Sequence, residues 1–355
     1  MSVRTMRAAA RQLPYNRTAG FSDLTRRLID GLKRLFGTQE DVVIFTSSGT
    51  GAMEASVQNL LDQRDCALVV NGGVFGQRWV DLCRLHGVPC EDWKIAPGKA
   101  LDPAALERRL ASGRYTALLL TAHETSTGVL HDVAGLGRIA REHDLFFLVD
   151  AISTIGADPF HMDQWQVDAA VLSSQKALAL PPGLAFVALS ARARRRLAAI
   201  EPRTLYFRIR DYLENQKRGQ MPFTPAVGLF LMLDERLREI EELTIDALVL
   251  QHADRARHFR NRLADLPLDQ FPDRAANGLS ALRVREPADA GRLAAELAAR
   301  FEFYVAPNGG ELARSLFRVG HFGDQTNEDL DALADALGEL LCHDDSNSRV
   351  AVAAR

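Results

Sequence analysis

Nothing in these 355 residues stays apolar for the ~20 positions that a bilayer-spanning helix needs. The opening MSVRTMRAAARQLP also lacks the apolar core of a secretory signal. Cysteine is scarce: Cys66, Cys83, Cys90 and Cys342 form no CxxC pair and no metal-ligand spacing, which argues against a disulfide scaffold and against structural zinc. Neither sign of charge prevails, with 43 Lys and Arg against 46 Asp and Glu, so charge favours neither nucleic acid nor an anionic membrane as partner. The one basic run, Arg192 to Arg196, sits in ALSARARRRLAAI and reads as a solvated helix face. Repeats and low-complexity stretches are missing too. A cytoplasmic protein is expected, long enough for two domains.

The hydrophobic residues come in short runs without alternation: VVIF from Val42, ALVV from Ala67, ALLL from Ala117, LFFLVD from Leu145, AAVLS from Ala169 and AFVALS from Ala185. Such runs mark strands buried on both faces. Between them, Met53, Val57, Leu60 and Leu61, then Val133, Leu136, Ile139 and Ala140, recur at helical spacing. The pattern predicts an α/β fold, a parallel sheet wound with helices. After Pro222 and Pro225, residues 227–266 are rich in Leu, Glu, Arg and Ala and predict one long helix or two consecutive ones. Beyond them SALRV from Ser280, a helix over 288–300, FYVAP from Phe303, LFRVG from Leu316 and a helix over 328–342 suit a compact α+β domain. The expected division is an N-terminal arm over 1–20, a large domain over 21–235, a small domain over 236–342 and a disordered tail over 343–355.

Two of the apolar runs end at ionisable groups. LFFLVD stops on Asp150, and AAVLS is followed by Ser174-Gln175-Lys176. Both groups then lie at strand carboxyl ends, the edge where open α/β sheets bind ligands. A lysine there can form a Schiff base with an aldehyde cofactor, and a carboxylate can keep a pyridine nitrogen protonated, the pair that pyridoxal phosphate requires. Taken singly, each is as well read as a surface lysine or a strand-terminal aspartate. Thr46 to Gly51 (TSSGTG) turns the first strand into a helix whose amino terminus can take a phosphate, although an ordinary turn reads the same. Phe75, in NGGVFGQR, either stacks on a flat ring or fills the core. The stretch HETSTG from His123 adds hydroxyls and a carboxylate, with no partner at metal-ligand spacing. Arg318, inside the apolar LFRVG, needs an anion: a substrate carboxylate or a structural Asp or Glu. His321 reads as a hydrogen-bonded core histidine.

From about Phe36 to Leu341 the chain resembles the class V aminotransferases of pyridoxal phosphate fold type I, in the alanine-glyoxylate or serine-pyruvate and 2-aminoethylphosphonate-pyruvate branch. SSGTGAMEA from Ser47, NGGVFGQR from Asn71, HETSTGV from His123 and VDAISTIGADPFHMDQWQVDAAVLSSQKALALPPGLAFV from Val149 carry the resemblance. It implies a large domain with a mostly parallel sheet and a smaller C-terminal α+β domain. It also implies that Lys176 forms the Schiff base and Asp150 pairs with the pyridine nitrogen. By the same resemblance Phe75 and Ile152 take the two ring faces, Ser48, Gly49, Thr50 and Gln175 hold the phosphate, and Thr125 reaches the ring hydroxyl side. Thr224, in PFTPAV, is similar to the threonine lent across a homodimer interface, and Arg318 to the arginine that binds the substrate carboxylate. The activity implied moves an amino group from a small amino acid or aminophosphonate to pyruvate or glyoxylate.

Two departures stand out. The Pro-Gly-Pro type loop that usually opens the family is not seen in the first 24 residues, and Met221 stands where some relatives carry a tyrosine. A desulfurase or β-lyase is the alternative enzyme, but a desulfurase needs a reactive loop cysteine, the small domain offers only Cys342, and Gln175 replaces the usual histidine. A non-catalytic relative would be expected to lose the lysine, the aspartate or the arginine, and all three are present.

Overall fold

The unalternating apolar runs form six strands of a seven-stranded sheet in the computed structural model, which describes the backbone of residues 1–352 and the side chains of residues 1–341. In chain order, α1 (Val3–Ala9) and α2 (Ala19–Phe36) precede β1 (Asp41–Phe45), α3 (Gly49–Leu60), β2 (Ala67–Asn71), α4 (Val74–Leu85), β3 (Cys90–Lys94), α5 (Pro103–Leu110) and β4 (Ala117–Thr121). A two-residue hairpin, β5 (His123–Glu124) with β6 (Val129–Leu130), leads to α6 (Val133–Glu142), β7 (Phe146–Asp150), β8 (Ala169–Ser173), β9 (Ala185–Leu189), α7 (Ala191–Ala199) and α8 (Ile209–Gln216). Then come α9 (Val227–Leu243), α10 (Ile245–Arg262), β10 (Leu268–Gln270), β11 (Leu279–Val284), α11 (Ala290–Phe301), β12 (Ala306–Pro307), β13 (Leu316–Gly320) and α12 (Asn327–Val352). The tail expected to be disordered over 343–355, like Cys342, has its side chains outside the described residues.

The large sheet has the order β1-β9-β8-β7-β4-β2-β3. It is not wholly parallel: β9 runs antiparallel to both β8 and β1. The reason is length, since the connection over 174–184 holds only turns, and a parallel return needs about a dozen residues and usually a helix. Phe146, Phe147, Leu148 and Val149 of β7 are fully buried, each contributing roughly 1.5–3 kcal/mol over exposure to water. Strand β3 was missed because CEDWK is a half-buried edge with charges, the way sheets blunt an edge.

The long helical stretch resolves into two helices broken at Thr244, whose φ of 78° departs from the helix and whose hydroxyl caps α10 by accepting from the Ala247 amide. One core draws on residues up to Leu248 and another begins at Phe259, so α10 serves both. The second core lies against a four-stranded antiparallel sheet, β10-β11-β13-β12. Of FYVAP only Ala306 and Pro307 are strand. The basic run is helix α7, but it is more than a solvated face: Arg192 bonds the Leu145 carbonyl at 2.8 Å and Asp144, and Arg196 bonds Asp65 at 3.0 Å and the Leu60 carbonyl. His321 is buried and shares a hydrogen bond of 2.9 Å with the Ser280 hydroxyl, as expected of a core histidine.

Candidate active site

Strand register places the acid and the lysine at one edge. Asp150 ends β7, paired with Thr121 of β4 on one side and Val171 of β8 on the other. Lys176 lies in the turn directly after β8. The Asp150 carboxyl accepts one hydrogen bond, from the Ile152 amide at 2.9 Å. Burial pushes its pKa up to about 7; the Ile152 bond opposes this, Glu124 adds to it, and Arg78 and Lys176 oppose it. Burial also lowers the pKa of Lys176, with Asp150 opposing and Arg318 reinforcing the shift. The amine stands 5.4 Å from the Phe322 ring centroid.

Ser48, Gly49 and Thr50 open α3, and the Ser48 hydroxyl makes no cap bond, which leaves the first amides of the helix to another acceptor. Glycine is needed here by close approach: a Cβ on Gly49 would come 2.5 Å from Ile152 Cδ1 and 3.3 Å from Ser173 Cβ. The helix start therefore sits against Ile152 and the end of β8. Thr50 Oγ1 accepts a hydrogen bond of 2.9 Å from Arg78, whose guanidinium carbon lies 4.8 Å from the Phe75 ring centroid. Nothing in NGGVFGQR distinguishes Arg78 by sequence; only its fold neighbours reveal the link between ring and helix start.

Glu124 has a role the sequence did not disclose. Its carboxylate accepts from the Phe75 and Gly76 amides at 3.1 and 2.9 Å and from the Ser126 amide and hydroxyl at 3.1 and 2.5 Å. It caps α4 and so fixes Phe75 at the rim. Thr125 is buried beside it, and its carbonyl accepts from Arg318 at 2.8 Å. Arg318 also donates to the Pro307 carbonyl at 3.2 Å; among the described residues it forms no ion pair, although Glu124 is near enough to oppose the lowering of its pKa by burial. The structural ion pair weighed for Arg318 is absent from the described residues, because the backbone holds the guanidinium.

Thr224 is not brought into this cluster: it is exposed, in a segment tied to Thr46 by the Ala226 amide at 3.1 Å. Nor do the arginines between Arg203 and Arg208 face it. Arg203 lines a separate cleft with Gln58 and His86, and Arg208 pairs with Glu201 at 2.6 Å.

Buried polar atoms without a partner gather at this edge: Thr121 Oγ1, His123 Nε2, Thr154 Oγ1, Ser173 Oγ, Gln175 Oε1 and Arg318 Nε. Buried polar groups are seldom left so. Together with the uncapped helix start, the half-buried Phe75 ring and the raised Asp150, they fit a flat, anionic, nitrogen-bearing ring such as pyridoxal phosphate.

The family model described as Aminotransferase class-V matches residues 5–293. An L-aspartate–glyoxylate aminotransferase of Paracoccus denitrificans is 32% identical over 325 residues, covering 88% of this chain and 81% of the relative. Among solved structures, an aspartate aminotransferase of subgroup IV from Thermus thermophilus superposes with a TM-score of 0.90 at 28% identity, covering 97% of both chains. An alanine–glyoxylate aminotransferase from Nostoc sp. gives 0.91 at 26% identity, covering 95% of this chain and 91% of that one.

Proposed function

The chain belongs to the class-V aminotransferase family as a pyridoxal phosphate-dependent transaminase, and from that premise we propose that it moves the amino group of a small α-amino acid to glyoxylate or pyruvate. The observation that carries this reading is Arg318. Its guanidinium is fixed by two carbonyls, keeps a buried Nε without a partner, and lies near enough to Lys176 to depress the lysine's pKa. A small carboxylate, common to the amino donor and the oxo acid, answers that vacancy in charge and shape. Two of the proteins named above are glyoxylate aminotransferases, one with aspartate and one with alanine.

In this reading Ser48, Gly49, Thr50 and Gln175 hold the cofactor phosphate, Phe75 and Ile152 bracket the ring, Thr125 borders its hydroxyl side, Asp150 meets its nitrogen, and Lys176 its aldehyde. Bound pyridoxal phosphate supplies an aldehyde for amine exchange and a ring that accepts an electron pair. Asp150 keeps the proton on the ring nitrogen. Lys176, inclined by burial to the neutral amine, would take the proton from the substrate Cα and deliver it to the cofactor carbon that keeps the nitrogen, and would run the same transfer backwards in the return half. Arg318 orients the carboxylate so that the Cα–H bond meets the amine.

We also propose a homodimer in which Thr224 reaches the partner's phosphate cradle. Its exposure in the single chain, outside the cluster around Lys176, supports this. A cytoplasmic location fits Cys66, Cys83 and Cys90, which are all free.

The test is the absorbance of purified protein with pyridoxal phosphate, read before and after alanine, serine, aspartate, glutamate and 2-aminoethylphosphonate. One α-amino acid is expected to convert the spectrum to that of pyridoxamine phosphate, and glyoxylate or pyruvate to restore it. Conversion by the aminophosphonate alone would overturn the donor, and a Lys176→Ala protein that still turned over would overturn the scheme.

A further inference from the structure

The turn that carries Lys176 is strained and needs outside support. Ala179 adopts a φ of 53°, in the left-handed region that non-glycine residues avoid. The turn bonds itself through the Ala179 amide to the Lys176 carbonyl at 2.8 Å and the Leu180 amide to the Ser174 carbonyl at 3.0 Å. The carbonyls of Ala177 and Leu178, two nearly fully buried residues, are left over. A buried carbonyl needs a donor, and both receive one from a single side chain of another element. Arg236 of α9 gives its Nε to Leu178 at 3.1 Å and an Nη to Ala177 at 3.4 Å.

The other Nη of Arg236 bonds Glu239 at 3.1 Å, one turn along α9, and both side chains are largely buried. Glu239 accepts in turn from the hydroxyl of Ser2, which caps α1, and from that of Thr5 at 3.5 Å. Arg4 fastens the same helix to Glu235 at 2.8 Å and Glu242 at 2.6 Å. A continuous polar path therefore runs from the first turn of α1 through Glu239 and Arg236 to the backbone beside Lys176.

We propose that Arg236 is a positioning residue for the reaction, holding the Lys176 turn in its strained form, and that α1 sets the geometry of Arg236 through Glu239. Arg236 touches neither substrate nor cofactor; it fixes where the lysine amine can reach. The proposal rests on Lys176 being the lysine that meets the cofactor.

Two measurements on full-length protein test it: hydrogen exchange of the amides in 175–184 without cofactor, and the pH midpoint of the absorbance of bound pyridoxal phosphate. Arg236→Met is expected to speed exchange of the turn by roughly tenfold or more and to move the midpoint. Arg236→Lys should recover part of both, and a Ser2→Ala/Arg4→Ala double variant should shift both in the same direction by less. Exchange that rises equally in β7 and β8, or no faster in the turn than in an Arg26→Ala control, which removes only an exposed pair with Asp23 on α2, overturns the role of Arg236. An unchanged turn in the double variant overturns the role of α1, and decides it even if Arg236→Met fails to fold. Exchange is read without cofactor, so it does not depend on the lysine's assignment. A Lys176→Ala protein that keeps the cofactor band would sink that assignment separately.

Discussion

Two carboxylates border the same rim, Glu124 on the hairpin side and Asp150 at the end of β7, and they are equally hidden at 1% and 4% exposure. Glu124 accepts four hydrogen bonds, three of them from backbone amides: two at the start of α4 and one from Ser126 in its own hairpin. Asp150 accepts one, and burial raises its pKa to about 7. The difference separates framework from function. A buried charge whose acceptor capacity is filled by the protein is part of the fold, whereas one left short is costly to the fold and is kept for something that arrives later. The same contrast divides two arginines: Arg236 spends its donors on carbonyls and a glutamate, while Arg318 keeps its buried Nε unused.

The sharpest break of this comparison is Asp150→Asn, which should act oppositely on chemistry and on stability. Turnover should fall by on the order of 10²–10³-fold, the loss usual for removing a key charge from a preorganised site. Without cofactor the fold should gain. The folded pKa of about 7 lies above the ordinary 3.8, so the folded chain holds this proton more tightly than the unfolded chain. That contribution is present below about pH 4 and is lost as pH rises to 7. The stabilisation by asparagine should therefore be larger at pH 8 than at pH 5, by on the order of 2–3 kcal/mol. Denaturant melts at the two pH values decide it; a variant less stable at pH 8 than the native chain would place Asp150 with the framework.

Arg318→Lys should have a smaller effect of a different kind. A lysine keeps the charge but cannot hold two carbonyls and also present a fork to a carboxylate. The KM of the oxo acid should rise roughly 10- to 100-fold, the worth of one or two charge-assisted hydrogen bonds, with kcat changed less. Steady-state kinetics at varied glyoxylate and pyruvate would show it, and an unchanged KM would return Arg318 to a purely structural role.

How far the sequence discloses all this follows the same division. Strands β7 and β8 are legible because burial on both faces leaves an unbroken apolar run, and their ends name Asp150 and Lys176 directly. Strand β3 is not legible, since a half-exposed edge leaves no pattern to read, and β12 is read too long, as FYVAP, of which only the last two residues are strand. The antiparallel course of β9 is written only in the brevity of the connection before it. Ser48, Gly49 and Phe75 follow from strand-to-helix turns, and the rest of the cradle comes through resemblance. Glu124, Arg78 and Arg236 act through partners 28 to 59 residues away, or through backbone carbonyls that every residue has. Composition and periodicity carry no trace of such pairings, which exist only once the chain has folded.

Glu124→Gln is the gentlest probe and the one that completes the contrast. Glutamine keeps the shape and one acceptor oxygen, but it turns a donor toward amides that themselves donate and removes the negative charge from the start of α4. At least one buried amide then lacks a partner, at a cost of about 1–3 kcal/mol. The expected result is a lower melting temperature with and without cofactor and weaker retention of pyridoxal phosphate, because Phe75 is less firmly held. The cofactor's absorbance and its conversion by substrate should persist, since Lys176 and Asp150 are untouched. That profile mirrors Asp150→Asn, which spares the fold and cripples the chemistry. Were Glu124→Gln as stable as the native chain but inactive, Glu124 would belong with the reacting groups, and counting filled valences would cease to tell scaffold from site.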